Sequence, residues 1–159
     1  MPMHVDCYAS LNSPYAYLGA ARIEALCARH GATLRLWPVD FAMIFPASGG
    51  LPLPQRAPQR QAYRLVELAR WRDRLGVPMV VQPRHWPVAE APLAQAVIAL
   101  RETAGDAAAI RLGHRIMRAI WAEEANPADP ATFAVLAAEC GLDGPALAEV
   151  ARDARWAER

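Results

Sequence analysis

Apolar and polar positions change rhythm along this chain, and the changes mark its elements. Residues Met3 to Ala9, MHVDCYA, alternate weakly and predict a short buried strand. LNSP interrupts that rhythm. From Ser13 the spacing becomes helical as far as His30, with Leu18, Ala21, Ile23, Leu26 and Cys27 forming one apolar face and Gly31 as the stop. Ala32 to Phe41, ATLRLWPVDF, alternates again through Leu34, Leu36 and Pro38 and predicts a second strand, with Asp40 as a turn cap behind it. Strand, helix and strand at these lengths form a parallel pair with a crossover helix.

The next stretch, Phe45 to Pro58, is dense in Gly and Pro and predicts a binding loop. A helix follows from Gln59 to Leu75. Gly76 to Val88 is extended and punctuated by proline. Helical patterns then fill about Leu93–Thr103, Asp106–Glu123 and Pro130–Glu139, and a last helix is capped by Asp143. There is no internal repeat. The predicted class is therefore α/β: one βαβ unit, then mostly helix.

Composition narrows what such a chain can do. It has 159 residues, 54% hydrophobic and 21% charged, which suits one domain with its own core. The net charge of +1 gives no global attraction to nucleic acid or to an anionic membrane, and neither is expected as a partner. Every basic residue other than histidine is arginine, which fits base-composition bias in an alanine-rich chain. Cys7, Cys27 and Cys140 are odd in number, far apart and without metal-ligand spacing, so reduced thiols and no metal are expected. No signal core and no apolar run of about 18 residues occurs. The expectation is a soluble, cytoplasmic protein.

Candidate chemistry concentrates at the first helix. Ser13 stands where an N-cap belongs and Pro14 suits the first helical position. Ser13 then has two readings. It caps a helix, or its hydroxyl and the free amides behind it stabilise an anion such as a thiolate. Elsewhere the pattern is less specific. His4, His30, His85 and His114 have no ligand or triad spacing. Trp71, Trp86, Trp121 and Trp156 suit a core or an interface, and Glu123-Glu124 suits a solvated helix end. Tyr15 and Tyr17 suit either packing or the flanks of a flat apolar substrate.

The segment SPYAYL after the first strand resembles the kappa-class glutathione transferases and the 2-hydroxychromene-2-carboxylate isomerases, in the DsbA-like branch of the thioredoxin superfamily. Two further blocks are similar to the family's in the same order, ALARWRDRLGVP and IMRAIWAEEANPADPATFAVLAAECGLD. Redox members carry CxxC where this chain has Ser13-Pro14-Tyr15-Ala16. The resemblance thus implies a redox pair replaced by a serine that holds the thiolate of bound glutathione. It implies a catalytic Ser13, with Ser13, Pro14, Tyr15, Arg60 and Gly50 around the cofactor. Arg60 reads equally as a solvated helix-face residue. The implied activity is glutathione-dependent cis–trans isomerisation of a small aromatic hydroxychromene carboxylate: the thiolate adds, a bond rotates, and the thiolate leaves. A kappa-like transferase and a non-catalytic thioredoxin-like binding module are the alternatives.

The chain departs from the family pattern in three places. The loop asparagine is replaced in Gly49-Gly50-Leu51, and a second asparagine position falls on Ala89. GVPMVV resembles the superfamily's cis-proline loop, but its place after the Arg70-Trp71 helix fits the family's ordinary loop, not a cis Pro78 facing Ser13. The family also continues into a C-terminal ββα half, whereas this sequence stops at Arg159. The expectation is a single DsbA-like domain over 1–159, with a βαβ half at 1–41 and a large inserted helical region at about 59–155, incomplete at its C-terminus. The sheet edge left open is expected to be covered by something else, such as a second subunit in a homodimer.

Overall fold

The computed structural model describes residues 3–157. Strand β1 (Met3–Ala9) and strand β2 (Ala32–Pro38) are joined by helix α1 (Pro14–Arg29) and pair in parallel, with Met3 opposite Ala32 and Ala9 opposite Pro38. The βαβ reading is thus borne out, with β2 ending three residues earlier than the alternation suggests. Helices α2 (Phe41–Ser48), α3 (Pro58–Leu75), α4 (Ala91–Ala104), α5 (Asp106–Trp121), α6 (Pro130–Glu139) and α7 (Gly144–Ala151) follow. Among the described residues no single helix is long and apolar enough to cross a membrane, and no cluster of His, Cys, Asp or Glu could hold a metal ion.

The segment read as a loop, Phe45 to Pro58, takes in the second half of α2, whose first half lies just ahead of it. The Asp40 carboxylate accepts from Ala42 N–H at 2.7 Å and starts the helix, and Gly49 stops it in the left-handed region at φ 74°. Pro46 inside it disguises the helix in sequence, because proline normally signals a break.

The core lies between the sheet and the α4–α5 hairpin. In α4 every residue from Ala96 to Arg101 is buried, so the helix is covered on all sides. Arg101 is tolerated there because its guanidinium lies 3.5 Å from the centre of the Trp37 ring, donates to the Leu36 carbonyl at 3.4 Å and pairs with Glu102 at 3.0 Å. In α5, Leu112, Ile116, Ile120 and Trp121 are fully enclosed. Gly113 lets α5 lie against the sheet, since a Cβ there would come within 2.5 Å of Leu36 Cδ2.

One local expectation needs correction. β1 is largely exposed rather than buried, because among the described residues it pairs only with β2 and its other edge meets solvent. Trp71 stands 42% exposed on α3, outside the core, whereas Trp121 and Trp156 are buried.

Candidate active site

Ser13 caps α1 with φ −81° and ψ 119°. Its Oγ accepts from Ala16 N–H at 3.2 Å, and its carbonyl accepts from Tyr17 N–H at 3.1 Å. Pro14 has no amide hydrogen, so Tyr15 N–H is the free backbone donor of this first turn. The Ser13 hydroxyl proton is also uncommitted, since Oγ acts only as acceptor in the capping bond. Two donors and the positive end of a helix of 16 residues therefore meet at the tetrad Ser13-Pro14-Tyr15-Ala16. Ser13 is half-buried, so the hydroxyl remains reachable.

Beside it opens a cavity of about 330 Å³. Ser10, Ser13, Tyr15 and Ala16 form its upper end, and Gly19, Ile23, Leu36 and Met117 line its mostly apolar length. His114 closes the far end, its Nδ1 paired with Glu24 Oε2 at 3.2 Å. Burial pulls the His114 imidazole below its ordinary value, with Glu24 opposing. Cys7 also lines this cavity; burial and the nearby Cys27 push its thiol up, which makes it a poor nucleophile at neutral pH.

A polar network holds the loop before Ser13. The Glu90 carboxylate accepts from Ser10 Oγ–H at 2.8 Å, from Asn12 Nδ2–H at 3.0 Å and from Leu11 N–H. Asn12 reaches further, donating to the Val88 carbonyl and accepting from Val88 N–H, each at 3.0 Å. Trp86 Nε1–H closes the set on the Asn12 carbonyl at 2.8 Å. Burial pushes the Glu90 carboxyl up, against the pull of its hydrogen bonds. Sequence reading missed Glu90 and Asn12. An acid ahead of Ala-Pro looks like an ordinary helix start, and no local pattern ties residue 12 to residue 90.

The other expected site residues separate. Tyr15 lies at the mouth, its hydroxyl donating to Glu67 Oε2 at 2.7 Å; burial and that bond push its phenol up to about 12. Tyr17 is withdrawn, because its hydroxyl donates to the Pro78 carbonyl at 2.6 Å inside the fold. Arg60 is exposed on α3, one turn before Arg64. Arg64 is the nearer cation: it interacts electrostatically with Tyr15 and lies 4.8 Å from the centre of the Trp86 ring. Gly50 is not among the residues lining the cavity. A Cβ there would sit 2.5 Å from the Phe45 ring, which gives the glycine a packing reason. Ala89 is exposed beside Glu90. The cis peptide among the described residues is Trp86–Pro87, and the bond before Pro78 is trans.

Comparison with known proteins places this geometry in context. A sequence model of the DSBA-like thioredoxin domain matches residues 4–159. Over 79 residues the chain is 33% identical to a 2-hydroxychromene-2-carboxylate isomerase of Pseudomonas putida, a stretch covering 49% of this chain and 39% of that protein. This match therefore spans well under half of the relative's length. The fold superposes on a solved 2-hydroxychromene-2-carboxylate isomerase with a TM-score of 0.82 at 24% identity, over 99% of this chain and 75% of the other. It also superposes on the cytosolic disulfide reductase DsbM of Pseudomonas aeruginosa solved with GSH, with a TM-score of 0.68 at 20% identity, over 96% of this chain and 71% of that one. At these identities the two structures establish a shared fold.

Proposed function

This chain belongs to the DsbA-like thioredoxin domain family, and from that premise and the site geometry we propose that it is a glutathione-dependent cis–trans isomerase of small aromatic hydroxychromene-type carboxylates. One observation carries the reading. The tetrad at the start of α1 has no sulfur, yet it presents a reachable hydroxyl and a free amide at the mouth of an apolar cavity. A 2-hydroxychromene-2-carboxylate isomerase is among the proteins the chain resembles.

The residues present suit a glutathione thiolate. Ser13 Oγ–H and Tyr15 N–H are donors, and α1 adds its positive end. Arg64, with Arg60 one turn away, offers a cation to a tripeptide carboxylate. When bound, glutathione supplies a nucleophilic sulfur that adds reversibly to a conjugated double bond, permits rotation, and departs unchanged. The protein's part is electrostatic. Holding a thiol about two pKa units below its free value takes roughly 2.7 kcal/mol, within reach of a hydroxyl donor and a helix terminus together. The apolar walls at Ile23, Leu36 and Met117 receive the aromatic ring and exclude water. Tyr15, fixed through Glu67, keeps its ring at the entrance.

The test is isomerisation of 2-hydroxychromene-2-carboxylate followed by ultraviolet absorbance, with and without glutathione. All glutathione should be recovered, and Ser13→Ala should lower the rate about 10²–10³-fold. Consumption of glutathione would instead identify a transferase. Insulin reduction above background would identify a redox enzyme, and an undiminished Ser13→Ala rate would remove the serine from the mechanism.

A further inference from the structure

We propose that Glu90, in its ionised form, is a positioning residue that fixes Ser13 for the reaction by gripping the three residues in front of it. The reaction is the isomerisation proposed above, on which this inference rests; the positioning itself rests on geometry. Glu90 stands at the entry to α4. Its Oε2 accepts from Ser10 Oγ–H at 2.8 Å and from Asn12 Nδ2–H at 3.0 Å, and its Oε1 accepts from Leu11 N–H. Three consecutive residues thus close on one side chain, and Ser13 follows directly behind them.

These donors have no other choice. Val88 fixes the orientation of the Asn12 amide, its N–H donating to Oδ1 and its carbonyl accepting from Nδ2, each at 3.0 Å. The remaining Nδ2 hydrogen must therefore face Glu90 Oε2. Ser10 Oγ already accepts from Asn12 N–H at 3.1 Å, so its own hydrogen is the one turned to Oε2. Leu11 and Ser10 are buried, away from water. Both oxygens of Glu90 must then act as acceptors, which the ionised carboxylate does and a protonated acid or an amide does not. Either neutral group sets a donor against a donor, at Asn12 in one orientation and at Leu11 in the other. Ser13 follows the turn. Its N–H donates to the Ser10 carbonyl at 3.0 Å, and Trp86 Nε1–H holds the Asn12 carbonyl at 2.8 Å. Displacing Ser10 or Asn12 therefore shifts the Ser13 hydroxyl, and a misplacement of about 1 Å costs up to about 10²-fold in rate.

Glu90 carries its charge on hydrogen bonds alone. Among the described residues no arginine, histidine or second acid bears on its titration. Arg64 lies over the Trp86 ring and not on the carboxylate, His85 beside Trp86 is exposed, and Tyr17 on α1 gives its hydroxyl to the Pro78 carbonyl. Burial pushes the Glu90 carboxyl up and the hydrogen bonds pull it down, with burial the larger. The grip is therefore complete above that raised value and is lost as pH falls through it.

Glu90→Gln fixes the neutral state at every pH and tests this on the full chain. At saturating glutathione, kcat for 2-hydroxychromene-2-carboxylate should be about tenfold lower in the variant than in the parent at neutral pH. The gap should close as pH falls through the Glu90 range, because both proteins then carry a neutral group at residue 90. The titration of glutathione itself acts on both and cancels in the ratio. A ratio near one at neutral pH, or a tenfold ratio that stays constant with pH, would overturn the proposal. A second readout needs no activity. In amide NMR spectra of the labelled chain, the Leu11 and Ser13 N–H signals of the parent should move together through one titration, with its midpoint above the ordinary glutamate range, and that titration should be missing from Glu90→Gln. If the chain shows no isomerase activity, the function proposed above falls and the NMR titration still decides the positioning. A Ser13 signal that moves with Leu11 supports it, and a Ser13 signal that stays still while Leu11 moves overturns it.

Discussion

Replacing Glu90 by alanine tests whether the loop that delivers Ser13 is held by the network behind it. The carboxylate satisfies Leu11 N–H, Ser10 Oγ–H and one hydrogen of Asn12 Nδ2. Asn12 keeps the Val88 carbonyl as an acceptor after the substitution, so its loss is small. Leu11 is 0% exposed and Ser10 2%, so neither donor can turn to bulk water. Two stranded donors at about 1–3 kcal/mol each give about 2–6 kcal/mol. Releasing the carboxylate from its buried position returns part of this, for burial is the largest influence on its raised pKa. The net expectation is a loss of about 3 kcal/mol. With a urea slope near 2 kcal/mol per molar, the midpoint should fall by about 1.5 M. Tryptophan fluorescence reports the transition, and Trp86, bonded to Asn12, lies within the affected region. Glu90→Gln keeps an oxygen for Leu11 and should cost only about 1 kcal/mol. A Glu90→Ala protein within about 0.5 kcal/mol of the parent would refute the network's role.

Two further outcomes follow from the packing and the titrating groups. Gly144→Ala should destabilise by at least about 1–3 kcal/mol in denaturant melts, because its Cβ would sit 2.7 Å from the Ala134 Cα and backbone cannot turn aside as a side chain can. The His114 pKa is lowered in the fold, so its contribution to stability is present above the unfolded value and is lost as pH falls through the histidine range. Thermal melting between about pH 7 and pH 5 should therefore decline less in His114→Gln than in the parent.

Local signals carried much of this fold. Ser13 before Pro14 gives the start of α1, and Asp129-Pro130 and Asp143 give the starts of α6 and α7, because a cap and the amide it bonds are near in sequence. The expected α6 has the observed bounds Pro130–Glu139. Helix α2 was hidden by Pro46 and by the Gly49-Gly50 pair that ends it. Long-range relations were not legible. Nothing near Ser10 announces Glu90, and nothing in β1 shows which of its edges meets water. Alternation could not distinguish a covered strand from an edge strand, which is why β1 was expected inside. Resemblance located the tetrad and the arginine helix. The structure then set Arg64, rather than Arg60, beside Tyr15.

The central claim concerns charge at one sulfur. Its most direct measurement is the thiolate absorbance of protein-bound glutathione across a pH titration, for the parent chain and for Ser13→Ala. The account predicts a bound thiol about two pKa units below the free one in the parent, moving most of the way back in the variant. Identical titration curves for the two proteins would contradict it.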